Sequence, residues 1–65
     1  MMKVTINNKS EQIAEGFTVS ALLEKRRVKK AAVWINGRQL LSAEYESWQL
    51  EDGDEIRILR LIAGG

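Results

Sequence analysis

The sequence contains no cysteine, no histidine and no proline. Without cysteine there is no disulfide to staple a small fold and no thiolate to hold a metal or attack a substrate. Without histidine the common neutral-pH proton carrier and the most frequent metal ligand are missing as well. Together these absences exclude most nucleophilic and metal-dependent enzymes. No apolar run approaches the roughly 18 residues of a membrane span, and the N-terminus lacks the charged-then-apolar layout of a secretory signal. The expectation is a soluble, cytoplasmic protein. Neither sign of charge dominates, with ten Lys+Arg against nine Asp+Glu and a net charge of +1.

What is present is one small domain. Sixty-five residues bury only about 60% of the unfolded surface, yet 45% hydrophobic and 29% charged residues are proportions of a folded globule. The opening segment alternates, with Met2, Val4 and Ile6 apolar around Lys3 and Thr5, the period of a half-buried strand. Asn7, Asn8, Lys9 and Ser10 read as a turn, and residues 11–14 as a returning strand with Ile13 inward. Gly16 breaks the pattern. Thr18 is an N-cap, because its hydroxyl can accept from an orphaned backbone N–H, and Phe17 and Leu22 are spaced for a hydrophobic staple. Val19, Leu22 and Leu23 form one helical face, closed by Lys25, Arg26 and Arg27 at the negative end of the dipole.

A short apolar strand, 31–35, stops at Asn36-Gly37, a turn signature. Residues 38–50 are less regular, with Ser42 expected to cap a single turn carrying Tyr45 and Trp48. Asp52-Gly53-Asp54 should launch a last strand over 55–62, with Ile56 and Ile58 facing one way and Arg57 and Leu59 the other. A hairpin, one helix and a closing strand predict an α+β grasp with four to five strands on one main helix. One helix covers one sheet face, so the other faces water or a partner.

Few residues offer chemistry. Residues 62–65, Ile62-Ala63-Gly64-Gly65, are the clearest candidate. Two final glycines arise by chance about once in 200 at a glycine usage near 7%. Such a tail reaches roughly 10–14 Å beyond a strand, and glycine lets a backbone thread a narrow channel. Its tip is a carboxylate with a reference pKa of about 3.5. The competing reading is a frayed or adventitious end. Domain 1–61 and tail 62–65 are the expected organisation. Lys25, Arg26, Arg27, Lys29 and Lys30 form a basic stretch, read either as a solvated helix end or as a patch for an acidic partner. The lack of interleaved aromatics argues against nucleic acid. Glu51, Asp52, Asp54 and Glu55 read as a turn, since an EF-hand needs a longer register. Trp34, Leu59 and Leu61 fall on the open face. They are a docking surface unless segment 38–50 folds over them.

In this order the landmarks Gly16-Phe17-Thr18-Val19-Ser20-Ala21-Leu22-Leu23, Ile35-Asn36-Gly37, Leu50-Glu51-Asp52-Gly53-Asp54-Glu55-Ile56 and Ile62-Ala63-Gly64-Gly65 resemble the ThiS/MoaD group of ubiquitin-like sulfur carriers. The likeness spans essentially the whole chain. The short length favours the ThiS side, linked to the thiazole of thiamine, although many ThiS-like sequences carry a proline and then a tryptophan where this chain has Tyr45 and no proline. The resemblance implies a β-grasp fold and a non-enzymatic carrier. Its Gly65 would be adenylated by a ThiF/MoeB-like activating enzyme using ATP and magnesium, then converted to a thiocarboxylate by a sulfur donor. A thiazole synthase-like acceptor would take the sulfide. Gly64, Ala63 and Ile62 would enter the partner, and Trp34, Leu59 and Leu61 would dock. No catalytic residue, metal ligand or bound cofactor is expected in this chain itself. The alternatives are a carrier for molybdopterin or amino-acid synthesis, a ubiquitin-like protein modifier, and a passive β-grasp interaction module.

Overall fold

A computed structural model describes residues 1–61; Ile62, Ala63, Gly64 and Gly65 lie outside the described residues. Strand β1, Met2–Ile6, buries Met2, Val4 and Ile6 as the alternation predicts. Its connection to β2, Lys9–Ile13, is shorter than expected. Asn7 and Asn8 alone form the turn, at φ 49° and 69°. Two consecutive left-handed residues match the right-handed twist of a hairpin, so Lys9 and Ser10 pair with Ile6 and Thr5, and Ala14 lies past the strand end.

Helix α1, Val19–Lys25, begins where the sequence places it: the Ala21 N–H donates to Thr18 Oγ1 at 3.1 Å. Val19, Leu22 and Leu23 are its buried face. The helix ends in a Schellman motif, with Val28 N–H donating to Leu23 O and Arg27 N–H to Glu24 O. Val28 packs against the core below, and Arg27 takes the left-handed position at φ 57°.

Strand β3, Ala31–Ile35, turns through Asn36 and Gly37, again both at positive φ, into β4, Arg38–Gln39. This two-residue strand carries no periodicity of its own, so the sequence does not place it; it is the fifth of the four to five strands expected. A single 3-10 turn follows at Ser42–Glu44. Ser42 does not cap it; the Glu44 carboxylate reaches back to accept from the Leu41 N–H at 2.8 Å. Strand β5 spans Glu55–Arg60, ending before the 62 expected, although Leu61 N–H still donates to Lys30 O at 3.1 Å.

The sheet order is β2-β1-β5-β3-β4. The central pair β1–β5 is parallel and the other neighbours are antiparallel. Residues from four of the strands and α1 meet in one core that includes Val4, Ile6, Ile13, Leu22, Val33 and Ile56. This is the β-grasp, ubiquitin-like architecture. Past β4, residues 40–50 lie on the helix side. Leu40 and Leu50 are in the core, Val19 and Ser20 N–H donate to Trp48 and Tyr45 carbonyls, and the Tyr45 hydroxyl donates to Ala31 O at 2.8 Å. Among the described residues no helix is long and apolar enough to cross a membrane.

Candidate functional site

The open face of the sheet is organised by β5. Ile56 and Ile58 are buried, so Glu55, Arg57 and Leu59 project from the opposite face. Register with β3 sets Trp34 across from Arg57 and Ala32 across from Leu59. Gln39 of β4 flanks Trp34 on its other side, leaving the indole half-buried. The small Ala32 gives Leu59 little cover, and Leu59 remains 56% exposed. Trp34 and Leu59 line a shallow groove of about 650 Å³ together with Asn7, Asn8, Gly37 and Arg57. Leu61 continues the same row beyond the last strand residue and is 54% exposed. Past β4, residues 40–50 pack on the helix side and leave this face open. The structure therefore brings Trp34 and Leu59 together, with Leu61 one step along at the point where the chain leaves the sheet. Such an apolar strip rimmed by charge suits a protein partner.

Two details were missed in the sequence. Asn7, read as a turn residue, also completes the ladder at the end of β1. Its Oδ1 accepts from Ile58 N–H at 2.9 Å and its Nδ2 donates to Ile58 O at 3.2 Å. An amide side chain carries one acceptor and one donor group, as a peptide does, so Asn7 stands in for the strand residue that β1 no longer supplies. Asn36 does related work at the far end of β5. Its Oδ1 accepts from Glu55 N–H at 2.9 Å and its Nδ2 donates to Asp54 Oδ1 at 3.1 Å. Only residue type was a signal for either, because both partners are remote in sequence.

The acidic turn is structural. Asp54 is buried, and its second oxygen accepts from the Glu51 N–H at 2.8 Å; Asp52 accepts from the Lys3 N–H at 2.8 Å. Among the described residues no three carboxylates converge as a metal cluster. The basic stretch occupies the end of α1 and the loop before β3. Lys25 Nζ lies over the Phe17 ring and Arg26 pairs with Glu11 at 2.8 Å. Arg27, Lys29 and Lys30 are exposed. Arg60 joins them, although as a lone strand residue it gave no charge-run signal. A second groove between the helix end and β5 is lined by Asn7, Arg26, Val28, Ile58, Leu59 and Arg60. Gly65, Gly64, Ala63 and Ile62, the residues expected to carry and insert the reactive end, lie outside the described residues.

Residues 3–65 match the family model described as the ThiS family. The sulfur carrier protein ThiS of Escherichia coli (strain K12) is 35% identical over 66 residues, covering 98% of this chain and 100% of that protein. The crystal structure of thiamine biosynthesis protein ThiS from Geobacter metallireducens superposes with a TM-score of 0.82 at 29% identity, over 98% of this chain and 100% of that one. The solution structure of a thiamine biosynthesis protein from the same organism gives 0.81 at 29% identity, over 98% and 88% of the two chains.

Proposed function

The chain belongs to the ThiS family, and from that membership we propose that it is a sulfur carrier protein serving thiamine biosynthesis, with the Gly65 carboxylate as the carrying group. The match to ThiS along nearly the full chain carries the reading. A ThiF/MoeB-like activating enzyme uses ATP and magnesium. A Gly65 oxygen attacks the α-phosphorus of ATP and pyrophosphate leaves, giving an acyl adenylate. A sulfide equivalent then attacks the acyl carbon; AMP leaves with the bridging oxygen, and the product is a thiocarboxylate. That product gives its sulfur to a thiazole synthase-like acceptor. A free carboxylate is a poor electrophile, so the work of activation falls to the partner and this chain acts as its protein cosubstrate.

The chain's own part is presentation. Gly64 brings no Cβ into a narrow passage, with Ala63 and Ile62 leading to it. Trp34, Leu59 and Leu61 form the surface that holds the carrier while its end reacts. The open groove beside β5 supports this assignment, because the strand that carries the docking row also leads into residues 62–65.

Intact mass after incubation with an activating enzyme, ATP and sulfide tests the chemistry. The expected gain is the difference between one sulfur and one oxygen, and deletion of Gly65 should abolish it while circular dichroism stays unchanged. Modification that survives the deletion would place the chemistry elsewhere. A ladder of conjugates on a gel would identify a protein modifier instead.

A further inference from the structure

We propose that Arg27, Lys29, Lys30 and Arg60 form an electrostatic collar that docks on an acidic protein surface around the entrance receiving residues 62–65. The proposal rests on the carrier reading and adds the chemistry of the partner's surface. Its first support is position. The hydrogen bond from Leu61 N–H to Lys30 O holds the end of β5 against the loop before β3. The Schellman turn brings the end of α1 to the same place, and the groove containing both Arg26 and Arg60 joins helix to strand. Cations separated in the sequence thus share the end of the molecule from which the chain continues.

Charge is also sorted along β5. Glu55 and the acidic turn 51–54 stand at its start and Arg60 at its end. Six residues span about 20 Å, roughly twice the Debye length at 0.1 M salt, so the acidic turn barely screens the basic end. Among the described residues none of the four collar cations is paired with a carboxylate, whereas the neighbouring Arg26 is.

Backbone geometry adds an independent observation. Arg27 occupies the left-handed helix-end position at φ 57°, where glycine carries no Cβ penalty. Local stability favours glycine there, and the arginine adds charge to the collar at that expense. A protein surface fits better than nucleic acid. The apolar neighbours include the aliphatic Val28, Leu59 and Leu61, and among the described residues the cation–ring contacts are made by Lys25 and Arg38, not by the four cations of the collar. Lysine and arginine beside exposed leucines suit carboxylates set in a partly apolar protein rim.

The test compares the full chain with a Lys29→Glu/Lys30→Glu variant in ATP-dependent modification by the activating enzyme of the same genome. Both residues are exposed, and circular dichroism checks that the fold is kept. Steering charges act mainly on association, so kcat/KM should fall about tenfold or more at low salt while kcat is retained. Raising salt from about 50 to about 500 mM should slow the wild type and narrow the gap between the two. Lys3→Glu, a single lysine-to-glutamate change near the acidic turn, should have little effect. If the wild type is modified and the double variant matches it at every salt concentration, the collar is refuted. A loss confined to kcat, or RNA binding abolished by the variant with activation unchanged, also overturns it. If the wild type is not modified by a verified activating enzyme, the carrier reading itself fails and the collar with it.

Discussion

Asparagine and arginine do work at single positions that their usual roles do not suggest. Asn7 and Asn36 are turn formers in the sequence, and both do adopt positive φ. Their side chains also supply the backbone of β5 at either end of that strand. The turn role was legible because it is local; the second role depends on residues 51 and 19 positions away. Arg27 is the reverse case. It was legible as a cation and not as a strained backbone position, since a left-handed helix end usually announces itself with glycine. Replacing it with glycine removes that penalty. Arg27→Gly should raise stability by about 0.5–1 kcal/mol, and a domain of this size then gains roughly 2–8 °C in melting temperature. Calorimetry decides it, and an unchanged or lower midpoint would show that the side chain compensates the strain.

At the level of elements, α1 has only seven residues, too few to be stable in isolation. Its start is fixed by Thr18 and its buried face by Val19, Leu22 and Leu23, all readable from spacing. What holds it beyond the cap is segment 38–50, whose carbonyls at Tyr45 and Trp48 accept from Ser20 and Val19. Tyr45 in turn ties this segment to β3 through Ala31 O. Tyr45→Phe keeps the ring and removes that hydrogen bond, so it should cost about 1 kcal/mol, read as a lower denaturation midpoint with an unchanged slope. Spacing alone places Tyr45 in a turn but assigns it no partner. Strand β4 was invisible for a related reason: two residues show no period, and only the hairpin through Asn36-Gly37 pairs them with β3.

For the whole molecule, one sheet face is packed and the other is open. Ile56 and Ile58 hold the core while Leu59 lies on the far side of the same strand, which separates stability from binding. Leu59→Ala should leave the melting temperature within about 2 °C, as expected for an exposed site. It should weaken association with the activating enzyme by about 1–2 kcal/mol, the range of a central interface residue, measured by calorimetric titration. Equal losses in stability and binding would instead make Leu59 a structural residue. Trp34, half-buried, does not separate the two as cleanly.

The sequence by itself determined which residues are inward on β1, α1, β3 and β5, and where α1 begins. Alternation, helical spacing and caps act over a few residues, so a linear reading recovers them. Tertiary structure decided that β1 and β5 lie side by side in parallel, that Trp34 and Leu59 share one groove, that residues 40–50 pack on the helix side, and that Arg60 joins the basic loop before β3. Those outcomes depend on pairing between distant strands. Burying apolar faces and satisfying backbone groups are properties of the assembled sheet, and no short stretch of sequence contains them.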